Sequence, residues 1–234
     1  MKYRKLKIGI AVTLFVSFFS CTSYLNTNLE EFASADLLGM IYDNNNQACP
    51  GVRITVDGWT GPVSDVNGRF TLVNLSRGKH ALSVKKEGYE EAVFQIEFLN
   101  RTQIIYLKVY SFEQILDLAE RALQDRKLGA AEEYLERARK INESDSLLLY
   151  LQAVIELKRD QVQEALATLL SIIDQKNAAP HVYLTVADIY EFKLKDAANA
   201  LRYLRKFASY VESDEIKARI KRLESQQNKT SDGS

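Results

Sequence analysis

The sequence predicts a two-domain chain, β then α: a small antiparallel β-sandwich followed by an α-helical solenoid of about three helix pairs plus a capping helix. Apolar residues between Val52 and Val109 alternate with polar ones, which is the period of strands with one buried face. In the second half, small residues recur with a step of 34, the period of stacked helix pairs. The junction between the halves holds no linker.

Residues 1–20 read as an export signal. Lys2, Arg4, Lys5 and Lys7 form a basic start, and Ile8 to Phe19 is an uncharged apolar run of 12 residues. A comfortable membrane span needs ~20 residues, so this run is too short for one. It ends in Phe18-Phe19-Ser20-Cys21, which resembles the lipobox of bacterial lipoproteins, with Phe18 and Phe19 where leucine and a small residue are usual. The resemblance implies that Cys21 is acylated and becomes the mature N-terminus; an ordinary signal peptide and an uncleaved anchor are the alternatives. Residues 21–36 would then be a tether with an r.m.s. reach of about 20 Å if flexible. Thr22, rather than Asp, follows the cysteine, which by the same resemblance favours the outer membrane over the inner.

Residues 37–110 carry the strand pattern. Val52, Ile54 and Val56 alternate with Arg53, Thr55 and Asp57; Phe70 and Leu72, Leu82 and Val84, Phe94, Ile96 and Phe98, and Ile105, Leu107 and Val109 follow the same rule. Gly, Asn and Asp clusters separate them, as in a small antiparallel sandwich. Tight hairpins are expected at Asp65 to Gly68, Arg77 to Lys79 and Glu87 to Tyr89, and Trp59 is placed in a loop. The order Gly39, Ile41 and Asp43, then Pro50-Gly51-Val52, then Asp65, Gly68 and Phe70, then Gly88-Tyr89 resembles the carboxypeptidase regulatory-like family. That resemblance implies a seven-stranded, transthyretin-like sandwich serving as a non-catalytic folding or binding module.

Ser111 can cap the next helix, and Gln114 can reach back to its backbone N–H. With no linker, the sandwich is expected to pack on the first helix pair and shield its open end. Over residues 111–226 the triplet Ala131, Leu135, Ala138 recurs as Ala165, Leu169, Ile172 and as Ala200, Leu204, Phe207. Ala119, Ala153 and Ala187 precede these triplets, also in steps of 34. Small residues at fixed points let paired helices approach closely. The spacing resembles the tetratricopeptide (TPR) family, which implies a protein-binding scaffold. Asp214 to Gln226 reads as a capping helix through Ile216, Ile220 and Leu223, and residues 227–234 as a disordered tail.

Composition narrows the function. Removing residues 1–20 takes away four of the 31 basic residues and none of the 31 acidic ones, leaving a formal charge of −4 and no general affinity for nucleic acid. His80 and His181 are the two histidines, and neither sits in a metal-ligand spacing. No Gly-x-Ser-x-Gly, phosphate loop or dinucleotide fingerprint occurs. Asp43 to Asn46 and Asp65 with Asn67 suit turns better than a calcium loop, which needs a terminal bidentate Glu. Cys49 reads as a small buried hydrophobe, with no His or basic neighbour adjoining it in sequence. No catalytic residue, metal, cofactor or small-molecule substrate is therefore expected.

The first helix of each pair lines the inner face of a solenoid. The residues expected there are Glu113, Asp117 and Glu120, then Tyr150, Val154 and Lys158, then His181, Asp188 and Glu191. An apolar centre flanked by acids suits a peptide or helix carrying basic residues; a merely solvated acidic face is the plain alternative. A membrane-anchored adaptor of the bacterial cell envelope is the function this pattern fits best. The other class is a surface adhesin or glycan binder using the sandwich loops, where Trp59 and Tyr89 are the aromatics in question.

Overall fold

The computed structural model describes residues 32–176 and 178–231; the expected signal, Cys21 and the tether up to residue 31 lie outside the described residues. Seven strands come first: β1 (Ser34–Tyr42), β2 (Arg53–Val56), β3 (Trp59–Val63), β4 (Arg69–Ser76), β5 (Gly78–Lys85), β6 (Ala92–Phe98) and β7 (Ile104–Lys108). They form two sheets, β4-β1-β7 and β3-β2-β5-β6. The alternating residues face inward as expected: Leu37, Ile41, Val52, Ile54, Leu82, Val84 and Phe98 are each at most 1% exposed.

Four details differ from the sequence reading. β1 starts at Ser34, inside the stretch expected as tether, because Ser34 and Ala35 pair with Ser76 and Leu75 at the end of β4. β1 and β7 run parallel, since the first and last strands meet only after the chain has crossed between sheets. Asp65 to Gly68 and Arg77 to Lys79 are therefore crossings between sheets rather than hairpins, whereas Glu87 to Tyr89 does lie in the β5–β6 hairpin. Trp59 sits on β3, not in a loop. A two-residue turn at Asp57-Gly58, both at positive φ, joins β2 to β3 with the twist that paired strands require.

The turn carboxylates have their ligands within the chain. Asp43 Oδ1 accepts from the backbone N–H groups of Asn45 (2.8 Å) and Gln47 (2.9 Å), and Asp65 Oδ1 from those of Asn67 and Arg69, both at 2.8 Å. These are turn bonds, as the residue types suggest.

Seven helices follow: α1 (Phe112–Gln124), α2 (Leu128–Arg139), α3 (Ser146–Lys158), α4 (Val162–Asp174), α5 (Pro180–Asp188), α6 (Ala197–Ala208) and α7 (Asp214–Ser231), with a π-helical turn over Ile189–Lys193 extending α5. The capping box forms: Ser111 Oγ accepts from the Gln114 N–H and the Gln114 side chain accepts from the Ser111 N–H. Ala119, Ala131, Ala153, Ala165, Ala187 and Ala200 are all 0% exposed, which places every small residue of the 34-step in a helix seam. α7 runs past Gln226 to Ser231, so the stretch expected to be disordered is helical that far. No glycine or proline lies between Asp214 and Ser231 to break the helix.

Sandwich and helices meet directly. Phe112 N–H donates to the Gly88 carbonyl (2.8 Å) and Glu90 N–H to the Tyr110 carbonyl (2.9 Å). Gln114 Nε2 donates to Asp43 Oδ2 at 2.9 Å. Arg137 on α2 grips the Glu90 carboxylate with two bonds, 2.9 and 2.7 Å, while stacking over Tyr110. Bidentate geometry and partial burial fix the orientation of the first helix pair on the sandwich.

Candidate functional site

α1, α3 and α5 are the first helices of their pairs, and a step of 34 brings Glu113, Leu147 and His181 into register on them. The same step aligns Asp117, Leu151 and Thr185, then Glu120, Val154 and Asp188, then Gln124, Lys158 and Phe192. On α1 this stripe is polar and exposed throughout. On α3 it is apolar up to its last position, Lys158: Leu147 is 48% exposed, Leu151 is buried and Val154 half-buried.

Tyr150 and His181 come together as neighbours. Their rings meet edge to face at 4.6 Å, and the Tyr150 hydroxyl is 3.4 Å from Thr185 Oγ1. Tyr150 is half-buried against the cluster of Ala153, Leu169 and Val186, so part of it packs the seam between first helices. Val154 packs likewise on the cluster beneath α1. Lys158 is exposed at the end of α3, and His181 is exposed at the start of α5.

Asp188 and Glu191 have a different role from the one expected. Glu191, with its side chain 9% exposed, takes Arg219 Nε at 2.6 Å and Arg222 Nη2 at 2.5 Å, both from α7. Asp188 Oδ1 lies 2.6 Å from Arg219 Nη2, an ion contact at an angle outside hydrogen-bond geometry. Arg219 also lies 4.9 Å from the centre of the Phe192 ring. The acids on the third first helix thus already hold a basic helix, and it belongs to this chain. Ile216 and Leu223, both buried, seat α7 there.

Five residues of this face were missed: Gln124, Leu147, Leu151, Thr185 and Phe192. Following the 34-step from Glu113 and His181 finds Leu147, and following it from Lys158 finds Phe192. The partnership of Glu191 had a fainter signal, the arginines Arg219 and Arg222 three apart on an amphipathic helix.

On the sandwich, Trp59 is 81% exposed and Tyr89 half-buried. Lys86 Nζ lies 4.3 Å from the Tyr89 ring centre and 3.6 Å from Cys49 Sγ. Cys49, buried as expected, therefore does have a basic neighbour, supplied by the fold from the far end of β5. Burial, followed by the Cys49 thiol, pushes the Tyr89 hydroxyl up to about 12.

Comparison with known proteins gives the following. Residues 37–120 match the family model described as a CarboxypepD_reg-like domain, which reaches into α1 beyond the expected boundary at 110. No curated protein matches the chain. Among solved structures, the TPR2AB domain of yeast Sti1 in complex with pHSP90 is 17% identical, with 51% of this chain and 48% of that chain covered and a TM-score of 0.44. A tetratricopeptide repeat protein from Parabacteroides merdae is 21% identical, covering 50% of this chain and 47% of that one, with a TM-score of 0.44. The Yersinia enterocolitica type III secretion chaperone SycD, in complex with a peptide of the translocator YopD, is 18% identical over 48% of this chain and 86% of that one, with a TM-score of 0.40. The match spans about half the length of the first two. The chain therefore carries a CarboxypepD_reg-like domain over residues 37–120, followed by a region of TPR-like helix pairs whose 34-residue step is set by its own buried alanines.

Proposed function

We propose that this chain is a lipid-anchored, non-catalytic adaptor of the bacterial cell envelope whose first-helix face binds a peptide or helix of a protein partner. The observation that carries this is the α1 end of that face. Glu113, Asp117 and Glu120 are exposed beside the exposed Leu147 and half-buried Val154, and among the described residues no ion pair engages these three acids. Two more acids of the same face, Asp188 and Glu191, hold arginines of α7, so seating a basic helix against first-helix acids is an arrangement this fold already uses. A partner with basic residues beside an aliphatic anchor fits the α1 end.

The test is Asp117→Lys combined with Leu147→Ala, both at exposed positions. In-cell cross-linking is expected to lose the dominant protein partner of the wild type, with an unchanged melting temperature. A double variant that captures that partner as well as the wild type would remove the first-helix face from consideration.

The anchor rests on Phe19-Ser20-Cys21 and is tested separately. The mature protein is expected to carry acyl mass on Cys21, and Cys21→Ser to abolish it and shift the chain out of the membrane fraction. An intact mass lacking acyl chains, or a mature N-terminus beyond Cys21, would contradict the lipid anchor.

A surface-binding role for the sandwich is favoured by one observation, the 81% exposure of Trp59 on β3. Loss of cell-surface or glycan binding on Trp59→Ala alone, with partner capture intact, would favour it over the adaptor.

A further inference from the structure

His80 lies in the sandwich, away from the first-helix face, and is only 7% exposed. Its ring touches two acceptors: Nδ1 is 2.6 Å from Asp57 Oδ2, and Nε2 is 2.8 Å from the Ser76 carbonyl oxygen. A carbonyl only accepts, so Nε2 carries a proton; an ionised carboxylate also only accepts, so Nδ1 carries one as well. The pair thus holds one proton more than a neutral ring beside a carboxylate. Neither ring nitrogen is free to act as a general base. A neutral imidazole has a single N–H and would turn a lone pair towards one of its two acceptors.

Asp57 is the first residue of the two-residue turn between β2 and β3. Its φ is +49° and that of Gly58 is +86°. The turn is tied to β5 twice more: Asp57 N–H donates to the Ala81 carbonyl (2.9 Å), and Asp57 Oδ1 accepts from the Ala81 N–H (2.8 Å). A left-handed conformation at a residue with a side chain costs about 1 kcal/mol, so the turn depends on such ties. The next side chain is Trp59, the one tryptophan of the sequence.

We propose that the His80–Asp57 pair is a proton-dependent latch: while the pair holds its extra proton, the β2–β3 turn is clamped to β5 and Trp59 is presented in one pose, and loss of that proton releases the turn. Around the ring stand Asp57 from the turn, the Ser76 carbonyl at the end of β4, and Ile96 at the opposed position of β6. Lys79 and Glu97, opposed on β5 and β6, sit at the alternate positions and so on the other face of the sheet. Asp57 is the charge that acts on the ring.

The direction of the switch follows from linkage. Burial alone would lower the His80 pKa, but the bonds to Asp57 and to the Ser76 carbonyl outweigh it and hold it above its ordinary 6.5. The bond from His80, followed by that from the Ala81 N–H, holds Asp57 below its ordinary 3.8. A raised histidine pKa stabilises fully below the unfolded value, and that contribution is lost as pH rises through the folded value. A lowered carboxylate stabilises above its unfolded value and loses that contribution as pH falls through the folded one. The latch is therefore closed below pH 6.5 and opens as pH rises through the raised His80 value.

Trp59 fluorescence of the full chain, titrated from about pH 5 to about pH 9, reads the latch directly. The wild type is expected to show one transition with its midpoint above 6.5, with amide exchange at Gly58 and Trp59 rising through the same midpoint. Asp57→Asn keeps an acceptor for the Ala81 N–H and tolerates positive φ, so it is expected to fold and to move the midpoint to lower pH. His80→Gln is expected to remove the transition. A flat wild-type curve, a transition that survives His80→Gln, or an unmoved midpoint in Asp57→Asn would each overturn the latch; the last decides the matter even if His80→Gln fails to fold.

Discussion

Gly68→Ala is expected to destabilise the sandwich by roughly 3 kcal/mol. Gly68 sits at φ +72°, and a Cβ there would lie 2.4 Å from the Ile41 carbonyl oxygen and 3.0 Å from the Cys49 backbone nitrogen. Those two atoms are hydrogen-bonded to each other at 2.9 Å, so the new methyl would intrude on a bond that closes the end of β1. Gly68 also accepts from the Ile41 N–H at 2.8 Å, which stops the turn from swinging away. Gly88→Ala is the control. Gly88 has φ +75° but nothing within 4 Å of its Cβ position, so it should lose only the ~1 kcal/mol of left-handed strain. Equal losses for the two variants in denaturant melts would show that the backbone contact at Gly68 relaxes freely.

Ala153→Leu should destabilise by ~1–3 kcal/mol through overpacking. Ala153 is 0% exposed and shares a cluster with Ala165, Leu169, Ile172 and Val186, so three added carbon atoms have no space to enter without moving a helix. Lys158→Leu, on the same helix but exposed, should be close to neutral. Denaturant melts of the two variants side by side provide the measurement. Comparable, negligible changes would mean that the 34-residue register does not place Ala153 in a seam.

Both effects trace back to features that were readable as patterns before their causes were visible. Gly39 and Phe70 belong to two separate motifs of the family pattern in the sequence, and in the fold they touch: Gly39 pairs with Phe70 across β1 and β4, and a Cβ on Gly39 would lie 2.1 Å from the Phe70 ring. A glycine opposite a phenylalanine lets the ring lie flat over the strand. The pattern named the residues; the strand pairing supplied the reason.

The helix turns were less legible. Arg126, Asp160 and Lys195 occupy equivalent positions after the first helix of each pair, and all three have positive φ, at 61°, 60° and 56°. Glycine or asparagine would have announced such a conformation, but long or charged side chains do not. Here the packed helices on either side impose the backbone angle, and local sequence preference yields to them.

The candidate site divides in the same way. Periodicity alone placed Glu113, Asp117, Glu120, Val154 and His181 on one side of the first helices, because a helical period fixes which side chains share a face. It also fixed the seams, the sandwich strands and the capping box, all of which depend on residues close in sequence or repeated at a constant step. What the tertiary structure alone decided was which charges remain for a partner. Asp188 and Glu191 look like Glu113 and Asp117 in the sequence, yet Arg219 and Arg222 arrive from some 30 positions away to hold them. Likewise, only the pairing of β2 with β5 within one sheet brought Lys86 to Cys49 and His80 to Asp57. Ion pairs and buried polar contacts form between groups that are near in space, and nearness between distant segments is set by how helices stack and sheets close, which no local pattern encodes.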